Sequence, residues 1–188
     1  MTLPGDLVVR PPAPGDVAGI AALVGACDES YRDWAPDGWE PPPPGRELDR
    51  WRGRITDGSW WTRVAQEPSG RVVGLVCFTQ AVVQRMLPSP PGRPDAGEGV
   101  LTVEPILGRA HVSAVFTHPG RWREGIAAGL LAIAEDAMRA AGYREVQLWT
   151  PRDAPARRFY EVTGWRHDGR EQWLADLALP IVAYVKPL

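Results

Sequence analysis

The sequence predicts one α/β (or α+β) domain built on six or seven strands, on three observations. The chain has 188 residues, enough for one compact domain with at most a small appendage. Hydrophobic residues make up 44% of it and charged residues 23%, the balance of an ordinary soluble globular protein. Strand-like runs and helix-periodic segments mix along the whole length with no internal repeat.

Leu7 to Arg10 forms the first strand candidate, followed by proline and glycine punctuation. Asp16 then stands at an N-cap position ahead of Val17, Ile20, Ala21, Leu23 and Val24, which recur at helical spacing. The stretch 28–44, rich in tryptophan, acid and proline, predicts an irregular loop or broken helix. A helix follows over 47–55, with Leu48, Trp51 and Ile55 on one face. Strands over 60–66 and 72–81 flank the turn Glu67-Pro68-Ser69-Gly70. Residues 87–99 read as a mobile Pro/Gly loop, and 110–117 as a strand. The longest helix signal covers 125–141: Ile126, Leu130, Ile133, Ala134, Ala137 and Ala141 share a face, and Gly142 sits at the C-cap position. A strand over 145–150, a short helix over 156–162 and strands over 165–167 and 181–185 complete the order.

The formal net charge of −2 gives no electrostatic footprint for nucleic acid or an anionic membrane. No apolar run approaches the roughly 18 residues of a membrane span. The first residues have neither the basic region nor the apolar core of a secretory signal. A cytoplasmic protein, monomeric or homodimeric, is expected. Cys27 and Cys77 lie far apart in apolar surroundings and read as buried thiols, without metal-ligand spacing, so no metal is expected. Lys186 is the only lysine; this bias toward arginine carries no functional reading.

The chemistry concentrates in Val115-Phe116-Thr117-His118-Pro119-Gly120-Arg121-Trp122-Arg123-Glu124-Gly125-Ile126-Ala127. An apolar strand ends, Pro119 stops its pairing, and a glycine-bearing turn leads straight into a long helix. The first N–H groups of a helix lack internal partners and carry the positive end of its dipole. A pyrophosphate is held well there if small residues let it approach the backbone. Gly125 and Ala127 give that room, and Arg121 and Arg123 could add charge-assisted bonds. No Gly-Lys-Ser/Thr phosphate loop occurs, and Gly125-Ile126-Ala127-Ala128-Gly129 has the wrong spacing for a dinucleotide fingerprint. About thirty residues on, a strand leads into Asp153-Ala154-Pro155-Ala156-Arg157-Arg158-Phe159-Tyr160-Glu161-Val162-Thr163-Gly164-Trp165.

In order and spacing the two blocks resemble the GCN5-related N-acetyltransferase (GNAT) superfamily. Its first block reads valine-x-proline and then Gln/Arg-x-x-Gly-x-Gly/Ala; its second reads Asn-x-x-Ala and then Phe-Tyr-x-x-x-Gly-Phe/Trp. The likeness covers most of the chain and is tight from Ala110 to Trp165. It implies a mixed, mostly antiparallel central sheet with helices on both faces. Residues 1–188 would form one acyl-CoA N-acyltransferase domain, 110–188 being its coenzyme-binding half and 1–109 its acceptor side. It implies an enzyme using acetyl-CoA and no metal. Val115, Phe116 and Thr117 would run beside the pantetheine arm. Trp122, Arg123, Glu124, Gly125, Ile126 and Ala127 would form the pyrophosphate loop. Asp153, Ala156 and Phe159 would line the distal groove, with Tyr160 near the thioester sulfur. Trp122 replaces the usual Gln or Arg, Thr117 a valine and Asp153 an asparagine. Asp153 reads equally as the N-cap of the next helix.

Aminolysis of a thioester needs a neutral amine and a proton for the departing thiolate. An alkyl amine of pKa about 10 is neutral in only about one molecule in a thousand at pH 7, which corresponds to roughly 4 kcal/mol. Tyr160 is the candidate acid, the other reading being a core tyrosine. His111, on the strand leading to Thr117, is a candidate base or a strand histidine bonded to a neighbour. Glu104 is a second base candidate. Stretch 28–49 holds seven acids with Trp34 and Trp39 among them. Asp33, Trp34 and Trp39 suit a cationic amine, or form a solvated acidic loop with packing tryptophans. The expected acceptor is a small-molecule amine. The alternatives are a protein N-terminus or lysine, and a non-catalytic coenzyme A-binding module.

Overall fold

The computed structural model describes residues 3–87 and 100–188. Among these, seven strands form one sheet: β1 (Val8–Arg10), β2 (Trp61–Gln66), β3 (Val72–Leu87), β4 (Val100–Thr117), β5 (Glu145–Pro151), β6 (Arg166–Leu174) and β7 (Leu179–Pro187). The strand order is β1-β2-β3-β4-β5-β7-β6. All neighbours are antiparallel except β4 and β5, which run parallel. Four α-helices accompany it: α1 (Val17–Glu29), α2 (Pro44–Thr56), α3 (Ile126–Ala140) and α4 (Ala156–Val162). The mixed, mostly antiparallel sheet agrees with the sequence expectation.

Alternation along the central strands sorts the core into two layers. Val76 and Phe78 join Ile126, Leu130, Ala134 and Met138 on the α3 face, where Tyr160 and Trp165 also pack. Leu75 and Cys77 turn the other way, onto Ile20, Leu23 and Val24 of α1 and Trp51 of α2. Gly74 is the closest point of the α3 face. A Cβ there would lie 2.8 Å from Ile126 and 2.9 Å from Leu130, so the helix seats against bare backbone.

Several elements extend beyond their sequence bounds. β3 and β4 make a long hairpin whose residues 88–99, the expected mobile loop, lie outside the described residues. The alternation of β4 breaks upstream of Ala110 because Gln80 faces Ala110 while Val82 faces Pro105. The intervening residues bulge out, with Gly108 left-handed and the Gln80 amide donating to the Ile106 and Arg109 carbonyls at 2.8 and 3.0 Å. α1 runs on to Glu29, and the expected irregular stretch opens with a short 3-10 turn over Ser30–Asp33. Asp16 occupies the N-cap of α1 without capping it. Its carboxylate instead accepts from the Ala13 N–H at 2.6 Å and from Arg10 at 2.7 and 2.8 Å. The thiols Cys27 and Cys77 are buried and unpaired with each other. Among the described residues no helix is long and apolar enough to cross a membrane.

Overpacking at a closed contact costs about 1–3 kcal/mol. Gly74→Ala is therefore expected to lower the unfolding free energy by about that amount in denaturant titration; an unchanged midpoint would contradict the close seating of α3.

Candidate active site

The site begins where two parallel strands part. β4 and β5 pair only from Arg109↔Glu145 to Val112↔Leu148, yet β4 continues to Thr117 and β5 to Pro151. At the parting point Cys77 faces Ala114 while Phe78 faces Val112, so Ser113 is a bulged residue without a β3 partner. A bulge bends its strand and increases the local twist. The His118 N–H donates to the Val73 carbonyl at 2.9 Å. By strand alternation, Val115 and Thr117 therefore turn their own N–H and C=O groups away from β3 and into the gap.

A cleft of about 1930 Å³ occupies this gap. Sites for one drug-sized ligand run to about 300–1,000 Å³, so this one has room for two substrates. It crosses the sheet: Ala156, Phe159 and Tyr160 border it on the α3 face, and Asp28, Tyr31, Glu47 and Arg54 on the other.

On the α3 face, Pro119–Arg121 makes one 3-10 turn, and α3 starts at Ile126 behind Gly125. Arg123 and Gly125 have φ of 68° and 81°, a left-handed backbone that glycine adopts without strain. The first-turn N–H groups of Ile126, Ala127 and Ala128 have no partner within the helix, and all three residues border the cleft. Arg121 is committed elsewhere: it donates to Glu67 at 2.6 Å, Glu124 at 2.7 Å and Asp6 at 3.1 Å. It clamps the loop to the β2–β3 turn, leaving Arg123 as the exposed cation. Trp122 donates its indole N–H to the Thr117 carbonyl at 2.7 Å. The Thr117 hydroxyl is buried without a partner.

Tyr160, on α4, is 8% exposed and meets Trp165 edge-on at 5.9 Å. Burial alone raises its hydroxyl pKa to about 12, so it keeps its proton throughout the neutral range. His111 is paired across to Gln147 of β5. Burial pushes it down to about 4, opposed by a hydrogen bond with the Gln147 backbone and assisted by nearby Arg54. Its Nδ1 is buried without a partner. Burial also holds the Cys27 thiol near 12, so it is no nucleophile at neutral pH.

The opposite wall comes from α1 and α2. Asp28, on the last turn of α1, is 6% exposed. Burial first, and Glu47 second, push its carboxyl from 3.8 up to about 7 against the pull of Arg50. Glu47, Arg50, Trp51 and Arg54 form one stripe of α2 at i, i+3, i+4 and i+7. Glu47 accepts from the Trp51 indole at 3.0 Å and pairs with Arg50 at 2.9 Å. The segment around α2 is tied to the turn between β6 and β7. Trp39 donates to the Leu177 carbonyl at 2.7 Å, and Arg46 to the Asp176 carbonyl at 3.0 Å. Arg50 reaches the Asp176 carboxylate at 3.2 Å. Arg46, Arg50, Asp176 and Leu177 all border the cleft, so these bonds strap its α2 end.

Of the residues singled out in the sequence, His111, Val115, Phe116, Thr117, Trp122, Arg123, Gly125, Ile126, Ala127, Ala156, Phe159, Tyr160, Asp33 and Trp34 all border this one cleft. Three do not. Glu124 faces Arg121; Asp153 is exposed beside Arg152, with Pro155 in the N-cap position; Trp39 props Tyr31 at 5.9 Å. Sequence reasoning missed Tyr31, Arg54, Ser113, Gln147 and Arg170, which also line it. The charged stripe of α2 was a readable signal. Nothing local marked Ser113 or Gln147, which are placed by strand register.

The model of the acetyltransferase (GNAT) family matches residues 25–165, and the chain belongs to that family. Comparison with curated sequences gives no significant match. The fold is similar to PaiA N-acetyltransferase from Thermoplasma acidophilum, solved with coenzyme A, at TM-score 0.63 and 12% identity over 97% of this chain and 99% of that one. It is similar also to a GCN5-related N-acetyltransferase from Kribbella flavida, at TM-score 0.62 and 18% identity over 97% and 98% of the two chains. A chimera of Vibrio cholerae spermidine N-acetyltransferase and hSSAT gives TM-score 0.62 and 15% identity over 97% and 96%.

The two shifted groups pull stability in opposite directions with pH. Asp28 binds its proton more tightly folded than unfolded, so its contribution is greatest below about pH 4 and is lost as pH rises to about 7. His111 binds its proton less tightly folded, so its contribution is present above 6.5 and is lost as pH falls to about 4. Asp28→Asn removes only the first term. The stability of the variant relative to wild type is expected to climb between pH 4 and 7 in denaturant titrations, and a flat difference would contradict a buried Asp28 carboxyl.

Proposed function

We propose that the protein is an acetyl-CoA-dependent N-acetyltransferase that acylates the primary amine of a small molecule, with both substrates held in the cleft at once. The observation that carries this reading is one cleft through the sheet, with the unpartnered first-turn N–H groups of α3 at one end and buried carboxyls at the other.

The residues fit the coenzyme. Val115 offers an N–H and a C=O and Thr117 an N–H without a sheet partner, the Thr117 carbonyl being taken by the Trp122 indole and the Cys27 thiol, and the Thr117 hydroxyl is a buried polar atom that lacks a partner. Buried polar groups are ordinarily satisfied, so a polar ligand arm alongside β4 answers both. The free N–H groups of Ile126–Ala128 suit the pyrophosphate, with Arg123 as an outer cation. When bound, acetyl-CoA supplies an activated acyl carbon as a thioester.

The protein's own groups divide the proton work. Asp28, near 7, is matched to accept the amine proton at neutral pH, whereas His111, near 4, is neutral there but a weak base. As the new N–C bond forms and the C–S bond breaks, the Tyr160 hydroxyl supplies a proton to the departing sulfur. Backbone N–H groups of β4 beyond the bulge stabilise charge on the carbonyl oxygen. The strap of Trp39, Arg46 and Arg50 onto the β6–β7 turn supports a small acceptor. A protein lysine or N-terminus would need an open groove at that end.

Incubation with acetyl-CoA and a panel of small primary amines is expected to release free thiol. Tyr160→Phe is expected to lower kcat at least about tenfold while the protein still binds acetyl-CoA. A kcat within about twofold of wild type would overturn the acid role of Tyr160. Acetyl-CoA binding without thiol release for any acceptor would overturn catalysis and leave a binding module. No binding would overturn the coenzyme reading itself.

A further inference from the structure

On the α2 wall of the cleft, Arg54 is the cation that has no carboxylate partner among the described residues. It stands on the cleft-facing stripe of α2, its guanidinium over the Trp60 ring at 4.4 Å and the Trp51 ring at 4.8 Å. One nitrogen donates to the hydroxyl of Ser113, the bulged residue where β4 and β5 part, at 2.9 Å. No carboxylate among the described residues lies within ion-pair distance of it. Glu47, on its own helix, is held by Arg50 and the Trp51 indole. Arg50 adds a like charge, and His111 beside it is neutral, with Nδ1 buried and unpartnered. The other arginines on this wall are paired: Arg46 and Arg50 with Asp176, and Arg170 with Asp168.

A guanidinium cannot shed its proton at any physiological pH. Burying it unpaired is costly unless an anion completes the arrangement. The aromatic rings on Trp51 and Trp60 and the Ser113 hydroxyl fix its plane, which is the pre-organisation a forked contact with a carboxylate uses. Burial, moreover, acts against its charge, and the like charge of Arg50 adds to that.

The geometry points to Arg54 as the anchor for an anionic group on the acceptor, so that the acceptor is an amino acid or a similar small zwitterion. Its carboxylate, or an equivalent small anion, meets Arg54 with Ser113 and His111 alongside. Its amine is left for the Asp28 side of the same wall. Arg54 belongs to the α1–α2 face, opposite the face that carries Tyr160 and the start of α3, which places the anion on the acceptor and not on the pyrophosphate. This inference rests on the acetyl-transfer reading for its chemistry.

The test compares amino acids with their carboxamides, side chain for side chain, as acceptors of acetyl-CoA. The acids are expected to show kcat/KM at least about tenfold above the amides, and Arg54→Gln is expected to bring that ratio to about one. Arg54→Lys, which keeps the charge but not the fork, should retain part of the preference; it serves also if the glutamine variant does not fold. Equal use of acids and amides by wild type would overturn the anion site while leaving acetyl transfer standing. Faster turnover of succinyl-CoA than acetyl-CoA, with amides as good as acids, would move the anion onto the acyl group and overturn it as well. If no donor and acceptor release thiol, the transfer reading fails. The anchor is then judged by calorimetric titration of the same acids and amides into the coenzyme-A-loaded protein. Tighter binding of acids that is lost in Arg54→Gln would support it, and equal binding would overturn it.

Discussion

The parting of β4 from β5 after Val112 is the constraint on which the site depends. A parallel ladder satisfies every backbone group on its shared edge, and abandoning it leaves N–H and C=O groups that need other partners. Here the ladder ends at the bulged Ser113, and the bulge changes two things together. It turns β4 away from β5, and it switches which side chains face which layer. Ala110 and Val112 point to the α3 core before it, while Ala114 points to the α1–α2 core after it. The gap therefore opens in the middle of the sheet without exposing either core. It opens at the same end as the left-handed Gly125 and the first turn of α3, so the two sets of free backbone donors share one cleft.

Charge is divided across that cleft in a consistent way. The α3 end offers backbone dipoles and one exposed arginine, its other arginine being spent on Glu67, Glu124 and Asp6 to hold the loop in shape. The α2 wall offers carboxyls whose burial keeps one of them, Asp28, near neutrality, with a guanidinium stacked on tryptophans beside them. The strap across the β6–β7 turn joins the two halves of the chain at this wall. Under the proposed reading, an anionic donor enters on one face, an amine on the other, and they meet at the bulge.

Much of the fold was legible because its central elements obey simple periods. β3 and α3 carry their burial on fixed sides, and Gly125 and Gly70 stand where positive φ is needed. β6 was nearly invisible: Arg166 to Leu174 is polar and almost wholly exposed as an edge strand, so no alternation marks its length. The start of β4 was hidden by its bulge at Gly108. At the site, the residues expected to line the coenzyme could be read from two short motifs, and all but Glu124 and Asp153 border the cleft. The acceptor wall could not be read in the same way. Asp28 was read as a loop acid and Glu47 as the start of a helix, and neither reading foresaw the burial that the packing of α1 and α2 gives them. Arg54 meets Ser113 only through the tertiary approach of α2 to β4, a contact across 59 positions of sequence.

The central claim is that the unpaired backbone of β4 and the first turn of α3 receive the coenzyme. Residue-resolved amide hydrogen exchange with and without coenzyme A tests it most directly. The account predicts slower exchange at Val115, Thr117 and Ile126–Ala128 in the complex, with the amides of β1 and β2 unchanged. Binding that left those five amides exchanging as in the free protein would contradict it.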